Sequence, residues 1–420
     1  MASTFDTQGT WKRFKADQRG NFAIITAVGG IMVMTAVGLS IDISRALMAQ
    51  THLSNAVDSA VLSTTRLVTQ GAMSEEDAKK EVKKFLFANF DDSKFGSQPT
   101  ITAVKVDSAA NTMSVSAHID LPTAFMGIAG VDTQRVNWNS EAAFSNTKIE
   151  VAMALDVTGS MGSYIPGTSD TKIDVLKDAA SGAIDTLIPN ATAAQRVRIG
   201  LVPYAATVNA KPVISRISTT GSGKCIYERV GPNAHNDTFA NGSNPVGSTK
   251  SYCPSAKIMP MTNDATKLKN HINSFSIGGC TAGHTAIAWA HYMVSPNWNG
   301  AWDLESEAAS YSDAETRKYA IIMTDGIFNT HISSGNVCTS AGETNSRADA
   351  LALCSEMRSR DIDVYTIAFD APTDAAKLME DCANPNTAQS QYYFNATDRT
   401  ELENAFQAIA KDIQSLRLTG

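Results

Sequence analysis

The chain has 420 residues, 43% of them hydrophobic and 18% charged; this exceeds the ~100–200 residues of one domain and excludes a disordered or collagen-like chain. Thirty-five basic residues stand against 42 acidic ones, for a net charge of −7, so a nucleic-acid-binding surface is not expected as its main business. Two folded units of ordinary globular type are the expectation, with an apolar segment near the N-terminus as the exception.

From Phe22 to Leu39 the sequence carries no charge. At ~1.5 Å of rise per residue a helix over this run is ~27 Å long, close to the hydrocarbon thickness of a bilayer. Ser40 and Ile41 extend it and Asp42 ends it, so residues 22–41 are expected to form a transmembrane helix. Lys12, Arg13, Lys15 and Arg19 outweigh Asp6 and Asp17 upstream, whereas Asp42 and Arg45 cancel downstream. The positive-inside rule then keeps residues 1–21 as a cytoplasmic tail and puts the chain after Asp42 across the membrane. A cleaved secretory signal is one alternative, but the run exceeds the ~7–15 residues of an h-region and no small-x-small site comes after it. A buried core helix would need a polar face that this run lacks.

Six cysteines, Cys225, Cys253, Cys280, Cys338, Cys354 and Cys382, all lie beyond the anchor. An even number confined to an exported region suits three disulfides in an oxidising compartment, with ~15 connectivities open. A zinc site is the rival reading, although no C-x-x-C or H-x-x-x-H pair occurs among them.

Beyond the anchor, Ala46, Ala49, Leu53, Val57, Ala60, Thr64 and Leu67 recur every three or four residues, the stripe of an amphipathic helix packing on its own domain. A second helix is expected over Ser74 to Asn89, opened by Ser74 and Asp77. Thr100 to Val106, Thr112 to Asp120 and Val136 to Phe144 alternate as strands do, with Ala109, Ala110 and Asn111 as a turn. Residues 42–146 thus read as a small α+β unit after a long helix.

From Lys148 the pattern changes. Apolar runs at Val151–Leu155, Val197–Val202, Ala320–Met323 and Val364–Phe369 alternate with helical stretches. One helix shows Ile173, Leu176, Ala180, Ile184 and Leu187; the last shows Leu402, Phe406, Ile409, Ile413 and Leu416 behind the capping pair Asp398 and Glu401. Buried runs between helices predict an α/β fold with a doubly wound, mostly parallel sheet over residues 147–420. Between Tyr204 and Lys269 the order gives way to Gly, Ser, Asn and Pro, too long for an ordinary connection. Residues 204–269 therefore read as an insertion near the binding edge, stapled by a disulfide. A further loop, Asn329 to Thr344, contains Cys338.

Ligands of such sheets bind at the carboxyl ends of the strands. There LDVTGSMGS places Asp156, Thr158 and Ser160 at alternate positions on a turn, IIMTDG places Asp325 at a strand tip, and GGCTAGHTAIAWA places Thr281 in a loop before a helix. Two carboxylates and three hydroxyls suit a hard cation, Mg²⁺ ahead of Mn²⁺ or Ca²⁺. Hydroxyl ligands are neutral, so the ion keeps the charge to accept a carboxylate from outside.

Asp156-x-Thr158-x-Ser160, with Thr281 and Asp325 next in order, resembles the metal-ion-dependent adhesion site (MIDAS) of von Willebrand factor type A domains, over roughly residues 148–414. The resemblance implies that Ser160, Thr158 and Thr281 contact the metal through hydroxyls, that Asp156 and Asp325 act directly or through water, and that a partner's Asp or Glu completes the octahedron. Thr158 stands where the family usually has Ser. The spacing from Thr281 to Ala286 and Ile287 is similar to the family's loop.

The stretch RGNFAIITAVGGIMVMTAVGLSIDISRALMAQTHLSNAVDSAVLS resembles the opening of TadE/TadG-like proteins of tight-adherence (Flp) pilus assembly. Those have a basic R-G-x start, one apolar helix, a D-x-x-R exit (here Asp42-Ile43-Ser44-Arg45) and an alanine-rich amphipathic helix. TadG-like members join this start to a von Willebrand A domain with stretches similar to LCSEMRSRDIDVYTIAFD and YYFNATD. The fifth residue after Gly20 is Ile25, where prepilin processing wants Glu, so no pilin-like cleavage is expected. The resemblance implies a single-pass bacterial inner-membrane protein with a pilin-like unit over 42–146 and a periplasmic domain. Its partners would be other pilus-assembly components offering an acidic residue.

The family's pattern carries a cysteine at each of Cys354 and Cys382, implying one disulfide. Cys225 with Cys253 would close the insertion, and Cys280 with Cys338 would tie the loops of Thr281 and Asp325. No enzyme activity and no small-molecule substrate are expected. T-G-S-M-G around Ser160 lacks one glycine of the nucleophile elbow, which sets aside a metal-dependent hydrolase. His284 reads as a loop or helix-start residue rather than a base, and a phosphotransferase using Asp156 and Lys172 would need a phosphate-binding loop. A chelatase-type von Willebrand A subunit working with an ATPase is the alternative, and the anchor and cysteines weigh against it.

Overall fold

The computed structural model describes residues 20–69, 75–107, 112–143, 147–218, 223–240, 246–249, 253–331 and 340–415. The basic residues 12–19, Ser74, the 109–111 turn, Phe144, Cys338 and Leu416 lie outside them. The chain divides into two units, one of residues 1–67 with 75–144 and one of 68–74 with 145–420.

The first unit is built on α1 (Gly20–Thr69), one 50-residue helix that carries both the apolar run and the amphipathic stripe. Ile24, Ile25, Ile31, Met32, Val33, Met34 and Val37 are exposed, so this end is no core helix, and it is long and apolar enough to cross a membrane. After Asp42 the helix turns one face inward, burying Ala46, Ala49, Leu53, Val57, Ala60 and Thr64. With it go α2 (Glu75–Asn89) and an antiparallel sheet of β1 (Thr100–Asp107), β2 (Thr112–Pro122) and β3 (Thr133–Ala143). Strand β2 shows the period of two, with Met113, Val115, Ala117, Ile119 and Leu121 buried. Trp138 Nε1 on β3 donates to Asp58 Oδ1 on α1 at 3.2 Å.

The D-x-x-R exit is a clamp on the β2–β3 connection. Asp42 accepts the backbone N–H groups of Ala124, Phe125 and Met126 at 2.9, 2.8 and 2.7 Å, and Arg45 Nη1 donates to Pro122 O at 3.3 Å. Burial works to raise the Asp42 pKa, but the three N–H bonds and Arg45 outweigh it and hold the carboxyl below its ordinary range. Phe125 lies against Gly38, where a Cβ would come within 2.6 Å of its ring.

The second unit is a nine-stranded sheet of β4 (Lys148–Asp156), β5 (Val197–Tyr204), β6 (Val208–Asn209), β7 (Cys225–Ile226), β8 (Ser248–Thr249), β9 (Met259–Thr262), β10 (Thr316–Thr324), β11 (Ile362–Phe369) and β12 (Tyr393–Ala396). Its order is β12-β11-β10-β4-β5-β6-β7-β8, with β9 also paired to β5. The sheet is mixed rather than mostly parallel. Strands β12 to β5 run parallel, but β6, β7, β8 and β9 pair antiparallel. All four antiparallel strands come from the 204–269 insertion, and at two to four residues each they are too short to show a periodicity.

The longer helices are α3 (Lys172–Leu187), α4 (Ala265–Asn273), α5 (Gly283–Val294), α6 (Ser340–Ser359), α7 (Thr373–Cys382) and α8 (Arg399–Ser415). Strand β4 is buried on both faces. Val151, Met153 and Leu155 join a core with α3, α4 and α8, while Ala152 and Ala154 join another with α5, α6 and α7. Helix α8 opens as its sequence indicates: Asp398 Oδ1 accepts the Glu401 N–H at 2.9 Å, and the Glu401 carboxylate accepts that of Thr397 at 2.7 Å. Cys225–Cys253 closes the insertion and Cys354–Cys382 ties α6 to α7. Cys280 is disulfide-bonded.

Candidate metal centre

Strands β4 and β10 are neighbours, with Leu155 opposite Met323, so the turns at their carboxyl ends lie side by side. Asp156 closes β4 and Ser160 sits in the helical turn 159–162 behind it. Gly159 N–H donates to Gly279 O at 3.0 Å and Gly278 N–H to Val157 O at 2.9 Å, which draws the loop before α5 against the same turn. Gly279 has φ 81°, a conformation that favours glycine.

Four of the five expected residues share one hydrogen-bonded chain. Ser160 Oγ donates to Asp325 Oδ1 at 2.6 Å and lies 2.9 Å from Thr158 Oγ1. Thr158 N–H donates to Asp156 Oδ1 at 2.8 Å, and Asp156 Oδ2 accepts from Thr324 Oγ1 at 2.9 Å and Tyr204 Oη at 3.2 Å. Thr281 is placed through its backbone: its N–H donates to Asn329 Oδ1, and its carbonyl accepts the Asn329 N–H, both at 3.0 Å. Asp156, Thr158, Thr281 and Asp325 are buried, whereas Ser160 is exposed.

Two buried carboxylates side by side are electrostatically costly. Burial, then the charge of Asp325, push the Asp156 carboxyl up to about 7, against the hydrogen bonds from Thr158 and Thr324. Part of the surplus is met from within. Lys172 Nζ lies 3.2 Å from Asp325 Oδ2 and 3.0 Å from Asp370 Oδ2, and donates to Asp370 O at 3.1 Å. Asp370 adopts φ 45°, which turns both its carbonyl and its carboxylate to the lysine. No motif marks Tyr204, Thr324, Asn329 and Asp370 as site residues, and only their places at or beyond strand ends hint at the role; Lys172, weighed from sequence only as a phosphotransferase lysine, opens α3.

The donor set fits a hard divalent cation. It is all oxygen, it carries two carboxylates against one ammonium, and the hydroxyls of Thr158 and the exposed Ser160 meet at 2.9 Å. His284, read from sequence as a loop or helix-start residue, is the second residue of α5 and is fully buried.

Residues 20–66 match the family described as "Putative Flp pilus-assembly TadE/G-like". The chain carries a TadE/G-like pilus-assembly segment. No curated protein matches the chain. Among solved structures it is similar to the vWF domain of the type V pili tip protein Mfa5 from Porphyromonas gingivalis, at 12% identity over 66% of this chain and 98% of that one, with a TM-score of 0.41. It is also similar to the PilB minor pilin from Streptococcus sanguinis (12% identity, 77% and 80% covered, TM-score 0.40). A third is the pilus adhesin SpaC from Lactobacillus rhamnosus GG (11% identity, 76% and 34% covered, TM-score 0.40). The present chain thus spans about a third of the length of SpaC.

Proposed function

We propose that this chain is a membrane-anchored binding protein of Flp pilus assembly, whose second unit captures an acidic side chain of another assembly component at Asp156, Thr158, Ser160, Thr281 and Asp325. A divalent cation, Mg²⁺ or else Mn²⁺ or Ca²⁺, held by these oxygens would supply a coordination position for the partner's carboxylate. The observation that carries this reading is the continuous chain Thr158–Ser160–Asp325, drawn from the carboxyl ends of two adjacent parallel strands and reaching the surface at Ser160. Both oxygens of Asp156 are engaged by Thr158, Thr324 and Tyr204, so Asp156 fixes the turn that presents the hydroxyls. Lys172 fixes Asp325.

The TadE/G-like segment supports the assignment to pilus assembly. The exposed apolar end of α1 supports a single-pass anchor, with residues 1–21 cytoplasmic and the second unit periplasmic. The disulfides suit that oxidising compartment. The proposed activity is binding and not catalysis, because the Ser160 hydroxyl is engaged by a threonine and a carboxylate rather than by an imidazole.

The test is thermal melting of the full chain in detergent, followed through Trp289, Trp298 and Trp302 of the second unit, with and without millimolar Mg²⁺ or Mn²⁺. A ligand at ~100-fold excess over Kd adds ~2.7 kcal/mol to the native state. A rise in the midpoint of the second unit is expected; an unchanged midpoint with every ion sinks the reading.

A further inference from the structure

Glu228, His284 and His331 come from three separate segments: the insertion, the first turn of α5 and the loop after β10. Each presents one ligand atom, and the three atoms lie within 4.8 Å of one another. Glu228 and His284 are buried, and the His331 side chain is 12% exposed. His284 Nε2 lies 3.3 Å from Glu228 Oε2, and His331 Nε2 lies 3.5 Å from Glu228 Oε1. Hydrogen bonds between charged nitrogen and carboxylate run ~2.7–2.9 Å, shorter than either separation. By contrast, ligands ~2.05 Å from a tetrahedral zinc ion stand ~3.3 Å apart.

We propose that Glu228, His284 and His331 hold a divalent transition-metal cation of the Zn²⁺ class, at a site separate from the oxygen cradle of Asp156 and Asp325. Two imidazoles and one carboxylate are a borderline donor set that suits zinc and not magnesium. The surroundings are those of a metal-binding histidine. The second ring nitrogen of His284, Nδ1, lies 2.6 Å from Ser346 Oγ, and with Nδ1–H donating to that hydroxyl, Nε2, 3.4 Å from Thr285 Oγ1, would take the metal. His331 Nε2 is also hydrogen-bonded to a second carboxylate, Asp349 Oδ2, at 2.9 Å, and Asp349 Oδ1 lies 2.7 Å from His235 Nε2; a metal on His331 would take the place of that proton, with Asp349 beside it. Glu228 and Asp349 together balance a dication.

The position gives the site a purpose. His284 lies three residues after Thr281, and His331 two after Asn329, which holds Thr281 by two hydrogen bonds. A metal at the cluster would fasten the insertion to both loops and stiffen the Thr281 side of the adhesion cradle.

The test uses the full chain in detergent, stripped of metal and kept oxidised, and titrated with Co²⁺ in millimolar Mg²⁺ so that hard-oxygen sites are filled. One equivalent of Co²⁺ should bind with the intense visible bands of four-coordinate cobalt, and Zn²⁺ should displace it. Glu228→Gln and His331→Ala should abolish the bands, Ser346→Ala should weaken binding about 10–100-fold, and Asp325→Ala should leave the bands intact. Tryptophan fluorescence melts in metal-free buffer show whether each variant folds, and Ser346→Ala keeps the test decisive if the ligand variants do not. Absence of binding, weak octahedral bands, bands surviving in folded Glu228→Gln and His331→Ala, or bands lost with Asp325→Ala would each overturn the assignment. The proposal stands independently of the adhesion reading, since Co²⁺ bands at this cluster require nothing of Asp325.

Discussion

Ser160 Oγ donates a 2.6 Å hydrogen bond to Asp325 Oδ1 across 165 positions of sequence. The bond joins an exposed hydroxyl to a buried carboxylate, so it marks the point at which the interior negative charge of the second unit becomes reachable from solvent. It is also the joint between the turns after β4 and β10.

Ser160→Ala removes that joint and one oxygen donor. We expect the Mg²⁺-dependent rise in melting temperature to disappear, while the metal-free protein loses only about 1.5–3 kcal/mol, the scale of one hydrogen bond to a charged group. Asp325→Asn should erase the same rise. Fluorescence melts of both variants beside the parent check this, and a rise retained in either one places the metal elsewhere.

Lys172 is the built-in cation of the same site. Its side chain is 8% exposed and touches Asp325 and Asp370. Lys172→Met leaves the Asp325 charge buried without its ammonium, a loss of roughly 3–5 kcal/mol for a broken buried pair. A divalent cation would then supply the missing charge. The variant should therefore be less stable than the parent without metal and gain more from Mg²⁺ than the parent does. Chemical denaturation with and without Mg²⁺ measures both, and a smaller gain than in the parent contradicts the role assigned to the lysine.

The legible parts of this chain are those whose physics is local. Val151–Leu155 and Ala320–Met323 are buried on both sheet faces and so appear as unbroken apolar runs. The stripe from Ala46 to Thr64 is buried on one helix face and keeps its period. Asp156, Thr158 and Ser160 are visible because one turn holds them, and Asp325 because it tips a strand. Glu228, His284 and His331 meet only through the tertiary fold, and no spacing in sequence announces them. Strands β6 to β9 escape for a different reason: a strand of two to four residues is defined by its neighbour, not by its own residues. The expected parallel sheet is present from the edge strand β12 through β5 and gives way where the insertion extends the sheet.

Asp42 should be felt in the first unit as a loop anchor. With three backbone N–H groups on one carboxylate, Asp42→Ala releases the connection at residues 123–132. We expect cleavage there by an added protease to become several-fold faster, as local opening replaces global unfolding. Asp42→Asn, which keeps one acceptor oxygen, should fall between. Equal cleavage in all three proteins would show that the clamp holds nothing.

Cys354–Cys382 spans 28 positions and ties two consecutive helices. Closing a loop of that length restricts the unfolded chain by about 3.5 kcal/mol in the chain-entropy account. Cys354→Ala combined with Cys382→Ala should lower unfolding stability by that order, and the oxidised parent should offer neither thiol to a maleimide under denaturing conditions. Labelling at either cysteine in protein isolated without reductant would contradict the pairing.

His291 sets an acid limit on the second unit. It is fully buried, with Nε2 3.2 Å from Tyr311 Oη and 3.9 Å from Asp237 Oδ2. Burial lowers its pKa to about 4, and the nearby charges of Asp237 and Glu356 offset this only in part. The folded protein therefore keeps the imidazole neutral where the unfolded chain, with its ordinary value near 6.5, takes up a proton. Stability from this group is complete above about pH 6.5 and falls as pH drops towards 4, by up to about 3 kcal/mol. Asp363 works the other way, since burial raises its carboxyl to about 6, so the total curve mixes both. The difference between parent and His291→Gln isolates the histidine: the gap in denaturation free energy should shrink steadily from pH 7 to pH 4.5, because the variant has no proton to refuse. A gap that stays constant over this range would mean that burial does not shift the His291 pKa, and a gap that widens towards acid would mean that His291 is held protonated in the fold, with Asp237 as its ion-pair partner.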